Sequence, residues 1–333
     1  MEKFSNGLTL FFSLLVEAIP FLLIGVAFSS LLLFFVDERS LIKVLPKHPL
    51  LGAIAGSLMG VFFPVCECGN VPVARRLIVQ GAPSSVAVGF LLAAPTINPV
   101  VFWATWVAFR GQPEIVFLRI GFTLIIAVAI AWVFSRQHDM RPLLQPAVAR
   151  QMPKSKLAAP ANPLLRSGTF LIQSGGAPLK MDAPVTQEMI ASGPPKPFAI
   201  KLQLTLDNMV QELRELGAVL VMGSAIAAFV QVAVPREWII ALGQNFITSI
   251  LAMMLLAAVV SICSTVDSFF ALSFASTFTS GALLAFLIFG PMIDLKNIGL
   301  LFTLFKPRVI FYIFALAAQM CFILTLFTNF YVS

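Results

Sequence analysis

Charged side chains are scarce in this 333-residue chain: Asp, Glu, Lys and Arg make up 11% of it, against about 25% in an ordinary soluble domain. So few could not cover a water-facing surface, and a soluble monomer is excluded. Histidine is almost missing, with only His48 and His138, both in charged loops. That excludes a haem-rich redox subunit built on axial histidine pairs, and it leaves Ser84, Ser85 and Ser273 without a base for hydrolase chemistry. Four cysteines, Cys66, Cys68, Cys263 and Cys321, are too few for a secreted disulfide framework. No Walker loop, dinucleotide fingerprint or zinc-finger spacing occurs. The chain is therefore not expected to be an enzyme, to carry a cofactor or to bind nucleic acid.

Apolar residues make up 59% of the chain, 32 of them Phe, and the mean hydropathy is +0.95. The apolar runs are long enough for spanning helices rather than porin strands, so the expectation is an all-α polytopic membrane protein in the lipid bilayer. The first run, 8–36, is far longer than the core of a cleavable signal and is expected to be a span. Most of the net charge of +7 sits in residues 136–200, which hold eight Lys or Arg against three Asp or Glu, with ten prolines and four glycines. This reads as an irregular, basic, cytoplasmic linker. It separates an N-terminal membrane half, 1–135, from a C-terminal half, 200–333, and the linker itself is taken as 136–199. The second half opens on an amphipathic segment, 200–216, read as an interfacial helix feeding a span over 217–234.

The halves resemble one another. Pro95-Thr96-Ile97-Asn98 aligns with Pro291-Met292-Ile293-Asp294 at an offset of 196, each with a cysteine, Cys66 or Cys263, upstream of it. Glu17 precedes Gly25 by eight residues, as Glu215 precedes Gly223. Duplicated halves with short, Pro- or Gly-interrupted segments point to a transporter site. One count gives four spans per half and parallel repeats; another splits 83–94 from 99–109 and gives five per half and an inverted repeat. The second satisfies the charge rule better, with Lys296 in a cytoplasmic-side turn, so we expect 8–10 segments in two inverted halves. Gly52, Gly56 and Gly60, at steps of four, make a smooth helix strip for close packing.

Helix breaks are expected at Pro64, Gly69 and Pro72, at Pro95 and Pro99, and at Gly290 and Pro291. At membrane depth such breaks persist only against protein or a water-filled cavity. The string Pro64-Val65-Cys66-Glu67-Cys68-Gly69 puts two thiols and a carboxylate at one of them. Thiols suit soft, thiophilic species, so Cys66, Cys68 and Cys263 are candidate ligands for a metal or thiophilic solute; the bland alternative is three small buried hydrophobes. Ionisable residues within spans usually face a pathway. Cys66, Glu67, Cys68, Asn98, Cys263 and Asp267 are therefore the candidate transport path, with Glu67, Asp267 and Glu17 the candidates for proton coupling, since desolvation disfavours a carboxylate's charged form. Arg75 and Arg76 read as path mouth, as compensation for Glu67, or as snorkelling cations. Asn98 and Asp294 read as helix caps, Asp294 at an interfacial turn beside Lys296.

With Leu91-Leu92-Ala93-Ala94-Pro95-Thr96-Ile97-Asn98-Pro99 and Gly290-Pro291-Met292-Ile293-Asp294-Leu295-Lys296-Asn297, the cysteine string resembles the predicted permease family UPF0718, or DUF318, which includes the organoarsenical efflux permease ArsP. The resemblance covers roughly 5–135 and 200–330. It implies a multi-pass permease of the bacterial inner membrane, with export of a small thiophilic solute past thiols that map onto Cys66 and Cys68. The alternatives are a membrane component that transfers sulfur or metal through its thiols, and a non-transporting scaffold subunit. A homo-oligomer or a partner membrane or cytosolic subunit fits any of the three.

Overall fold

The computed structural model describes residues 2–35, 46, 48–62, 67–137, 140–152, 170–171, 179–180, 198–233, 245–275 and 277–331. Half one runs α1 (Glu2–Phe35), α2 (Pro49–Met59), α3 (Glu67–Val79), α4 (Ser84–Ala93), α5 (Pro99–Ala108) and α6 (Pro113–Ser135). A short α7 (Pro146–Gln151) and a two-residue antiparallel pair, β1 (Phe170–Leu171) with β2 (Leu179–Lys180), follow. Half two repeats the order of half one: α8 (Phe198–Ala233), α9 (Phe246–Val260), α10 (Asp267–Leu272), α11 (Ser280–Met292), α12 (Leu295–Leu301) and α13 (Pro307–Tyr331). The architecture is that of an all-α polytopic membrane protein. Ser5–Ile24, Pro113–Ser135, Ser280–Leu301 and Pro307–Phe330 are long and apolar enough to cross a membrane, and α2, α4, α5 and α9 are shorter apolar helices.

A helix that is apolar all round belongs in an interior, and α4 and α11 occupy that place in their halves. Residues from Ser85 to Ala93 and from Gly281 to Phe289 are buried throughout. α2 and α6 flank α4, α9 and α13 flank α11, and α6 also packs on α11 and α13, so the two halves share one core. The long α1 and α8 lie against each other. The glycine strip faces α4: a Cβ on Gly52 would lie 2.6 Å from Ser85 Oγ, one on Gly56 2.6 Å from Val86 Cα, and one on Gly60 2.6 Å from Ala94 Cα.

Several expected breaks fall elsewhere. Gly69 and Pro72 lie inside α3, whose first residue is Glu67. The interruption therefore comes ahead of Glu67, and Pro72 forgoes one backbone bond early in a helix that packing supports on every side. Gly290 and Pro291 lie in the last turn of α11, which stops at Met292. The chain turns at Ile293 and Asp294, where Asp294 caps the next helix. Pro95 sits in the turn after α4, and Pro99 is the first residue of α5, where its missing N–H has no intrahelical partner to lose. Pro64 lies outside the described residues.

The segment expected to be interfacial and the span after it are one continuous helix, α8, of 36 residues. The front of the expected irregular linker is docked rather than free: Met140, Leu144 and Val148 are buried. Gln145 N–H donates to Leu304 O and Lys306 N–H to Leu143 O, both at 3.0 Å. The Gln145 side-chain amide donates to Phe302 O and Phe305 O at 3.0 and 3.2 Å. These bonds satisfy carbonyls at the end of α12 that the helix leaves open.

Gly56→Ala is expected to cost about 1–3 kcal/mol of stability by overpacking against backbone. Gly217→Ala, on α8 with nothing within 4 Å of its Cβ, is expected to be neutral or to stabilise by about 0.5–1 kcal/mol. Thermal unfolding of both variants in one detergent checks the contrast.

Candidate functional site

Both breaks are built alike. Asn98 Oδ1 accepts from Val101 N–H at 2.8 Å and starts α5, and Asp294 Oδ1 accepts from Asn297 N–H and starts α12. Ser/Thr/Asp/Asn side chains do this at helix starts because the first N–H groups have no intrahelical partner. Upstream, α3 opens on Glu67 and α10 on Asp267. Each half thus presents a buried carboxylate at the start of a helix.

Among the described residues, neither carboxylate forms an ion pair within its own half. Glu67 Oε1 accepts from Lys296 Nζ of half two at 3.4 Å, each side chain only 1% exposed. Asp267 meets Arg119 of half one: Nη2 donates to Oδ2 at 2.6 Å and Nη1 to Oδ1 at 3.2 Å. A third pair, Arg75 Nη1 to Glu215 Oε2 at 2.9 Å, also joins α3 to α8, with Glu215 45% exposed. All three ion pairs among the described residues cross between the halves.

Around Arg119 the network is nearly saturated. Nη1 also donates to Thr105 Oγ1 and Ser268 Oγ, both at 2.8 Å. Thr105 and Ser268 hydroxyls lie 3.0 Å apart, and Ser268 donates to Asp267 Oδ1 at 3.1 Å. Lys296 makes the single contact above, yet its ammonium lies in the electrostatic field of Glu67, Asp294, Cys68 and Cys263. Glu67 in turn acts on both Asp267 and Asp294. One buried cluster thus contains Glu67, Cys68, Cys263, Asp267, Asp294, Lys296 and Arg119.

Among the expected path residues, Glu67, Cys68, Cys263 and Asp267 are therefore brought together, each at most 3% exposed. Asn98, also buried, caps α5. Cys66 and the side chain of Glu17 lie outside the described residues. Among the described residues no three His, Cys, Asp or Glu side chains group as a metal site. Cys321 is buried on α13 and donates to Ala285 O of α11 at 3.8 Å, a packing role.

Asp294 stands at a turn as expected, but it and Lys296 face the protein interior, both 1% exposed. Arg119 sits in what reads as an ordinary span. Its signal was there: it is the one charged residue in 115–135, and a lone ion in a spanning helix seeks a buried partner.

The family model for predicted permeases, ArsP_1, matches residues 3–330. The chain belongs to this family. The permease is 37% identical over 303 residues to UPF0718 protein YcgR of Bacillus subtilis (strain 168), covering 91% of this chain and 90% of that one. It is 30% identical over 306 residues to a protein of Streptococcus mutans serotype c named as a subunit of a two-component membrane permease complex, covering 91% and 88%. No solved structure gives a significant match. With its apolar helices, this makes the chain a multi-pass bacterial membrane protein and a transporter in kind.

Arg119→Met leaves Asp267 buried and unpaired and is expected to cost about 3–5 kcal/mol. Adding Asp267→Leu is expected to recover most of that loss, because an apolar pair of similar size needs no desolvation of charge. Arg75→Gln, facing a half-exposed partner, is expected to cost no more than about 1 kcal/mol. Unfolding midpoints of the four proteins in detergent decide it.

Proposed function

We propose that this permease exports a small, thiophilic solute by alternating access, with two inverted halves rocking about the buried cluster and proton movement at Glu67 or Asp267 driving the cycle. The observation that carries the reading is the exchange of ion pairs: each half's helix-start carboxylate is held by the other half's cation, Glu67 by Lys296 and Asp267 by Arg119. A relative motion of the halves must stretch one or both of these pairs. A parted charge in an apolar interior is strongly disfavoured, so the halves move readily only when protonation or solute relieves it. Cys68 and Cys263 stand in the field of the Lys296 ammonium, next to the same carboxylates, which supports a solute that engages sulfur. Cys66 completes the proposed thiol set, and Glu17 remains a further proton-coupling candidate on α1.

The name of the Streptococcus relative favours an added component. We infer that this chain also works with a partner subunit. The docked segment 140–152, at the front of the linker, carries Arg141 and Arg150 and offers such a partner a place to attach.

Accumulation in everted vesicles tests the mechanism. Glu67→Gln and Cys66→Ser with Cys68→Ser are each expected to lower proton-dependent accumulation of a thiophilic solute by tenfold or more, on the order of the loss of one charge-assisted contact, with membrane insertion unchanged. Accumulation untouched by every one of these substitutions overturns the site.

A further inference from the structure

Resting on the permease reading above, the two exchanged ion pairs are unequal in a way that identifies a ligand. Asp267 and Arg119 are surrounded by Thr105 and Ser268, and both Asp267 oxygens are bonded. Glu67 has one contact, at 3.4 Å, and its Oε2 has no hydrogen-bond partner among the described residues. Asp294 spends Oδ1 on the cap of α12 and leaves Oδ2 without one. Asn297 and Asn70 each spend Nδ2, on Met292 O at 2.9 Å and Leu91 O at 2.7 Å, which fixes their amides with Oδ1 unpartnered. The four atoms belong to α3, α12 and the turn before it, elements that pack together, and all four residues are at most 2% exposed. All four are acceptors, and the one unpartnered donor of the cluster, Arg119 Nε, belongs to the other ion pair. What this corner of the cluster lacks is a further donor or a positive charge.

The charge count agrees. With every group in its ionised form, Glu67, Asp267 and Asp294 carry three negative charges against two positive ones on Lys296 and Arg119, so among the described residues one negative charge calls for a proton or another cation. Arg75 is engaged with Glu215 of α8. Arg76 stands nine residues beyond Glu67 on α3, about two and a half turns along and on the opposite helix face. The thiols of Cys68 and Cys263 are the remaining titratable neighbours of Lys296. Two carboxylates and two amide oxygens are hard-oxygen chemistry, suited to a small cation rather than a soft metal.

We infer that Glu67, Asp294, Asn70 and Asn297 form a binding site for one small monovalent cation, a proton or sodium, that serves as the coupling ion, with the Lys296 ammonium beside it weakening its hold. Arg119 and Asp267 then fasten the halves at a second point and do not bind the ion.

The test uses the purified full-length protein in detergent and needs no transport, so a failed vesicle assay and a failed binding assay point to different faults. Binding of radioactive sodium is measured by scintillation proximity in a choline chloride background, and proton uptake between about pH 5 and pH 8, where ordinary carboxylates are already ionised, by potentiometric titration. Asp294→Asn retains a capping oxygen and Glu67→Gln retains the side-chain shape; size-exclusion profiles check that each stays monodisperse. Saturable sodium binding lost in either variant supports an alkali cation. No sodium binding, with about one proton fewer taken up by either variant than by the parent chain, supports the proton. Where sodium binds, Lys296→Met is expected to tighten it by on the order of tenfold or more, because a unit positive charge is removed from a site of low effective dielectric. Monodisperse protein with neither response, or sodium binding that Lys296→Met leaves equal or weaker, overturns the site.

Discussion

A charge buried in an apolar interior must be met by an opposite charge, and in this permease each partner comes from across the molecule. Helix starts concentrate polar backbone and acidic side chains, so a duplicated chain with a break in each half brings carboxylates inside. Glu67 and Asp267 arrive by that route. Their own halves supply no cation to them; Lys296 and Arg119 reach in from opposite sides. The relative position of the halves is consequently held by electrostatics as well as by the apolar contacts of α6 with α11 and α13. Apolar surfaces slide with little change in energy as long as they stay covered, whereas a desolvated ion pair loses most of its attraction when stretched and regains it only when something neutralises both ends. A transporter needs that property: resistance to motion that depends on what is bound.

The symmetry is broken where the chemistry differs. The cap positions correspond, Asn98 with Asp294, but only one of them carries charge, and only half two follows its cap with a lysine. Half one places its cation on α6 instead, where Thr105 of α5 and Ser268 of α10 add bonds to Nη1 of the guanidinium. A planar guanidinium with several donors suits a fixed junction, and a compact ammonium on a flexible stem suits a contact that changes. Thiols accompany the second kind of contact.

Periodicity and local motif carried the fold a long way. The aligned Pro-Thr-Ile-Asn and Pro-Met-Ile-Asp strings are local instructions, a helix stop followed by a cap; both caps form, at Asn98 and Asp294, while Pro291 still lies in the last turn of α11. The strip of Gly52, Gly56 and Gly60 names a close contact, although not its partner, α4. Gly69, Pro72, Gly290 and Pro291 misled because breaking a helix is only a propensity. Inside a core that buries all of α3 and nearly all of α11, one lost backbone bond is outweighed by packing. The partners of Lys296 and Arg119 are illegible for a different reason. Whether a cation snorkels to an interface or enters the interior depends on a carboxylate more than a hundred residues away, and no local pattern records that distance.

The docked start of the linker follows from the same accounting. α12 is only seven residues long, and it carries the lysine on which the Glu67 pair depends. Gln145 and the backbone of Leu143 meet the carbonyls and amide just past its end, while α7 leans on α3, the helix that bears Glu67. One strap therefore touches both elements that carry the weaker ion pair. It does so from the C-terminal end of α6, the helix that carries Arg119 and so the stronger one. A displacement of half one passes along that route to both members of the Glu67–Lys296 contact while the Arg119–Asp267 junction stays put, and in the proposed cycle the motion is then a pivot about the saturated pair that opens and closes the unsaturated one.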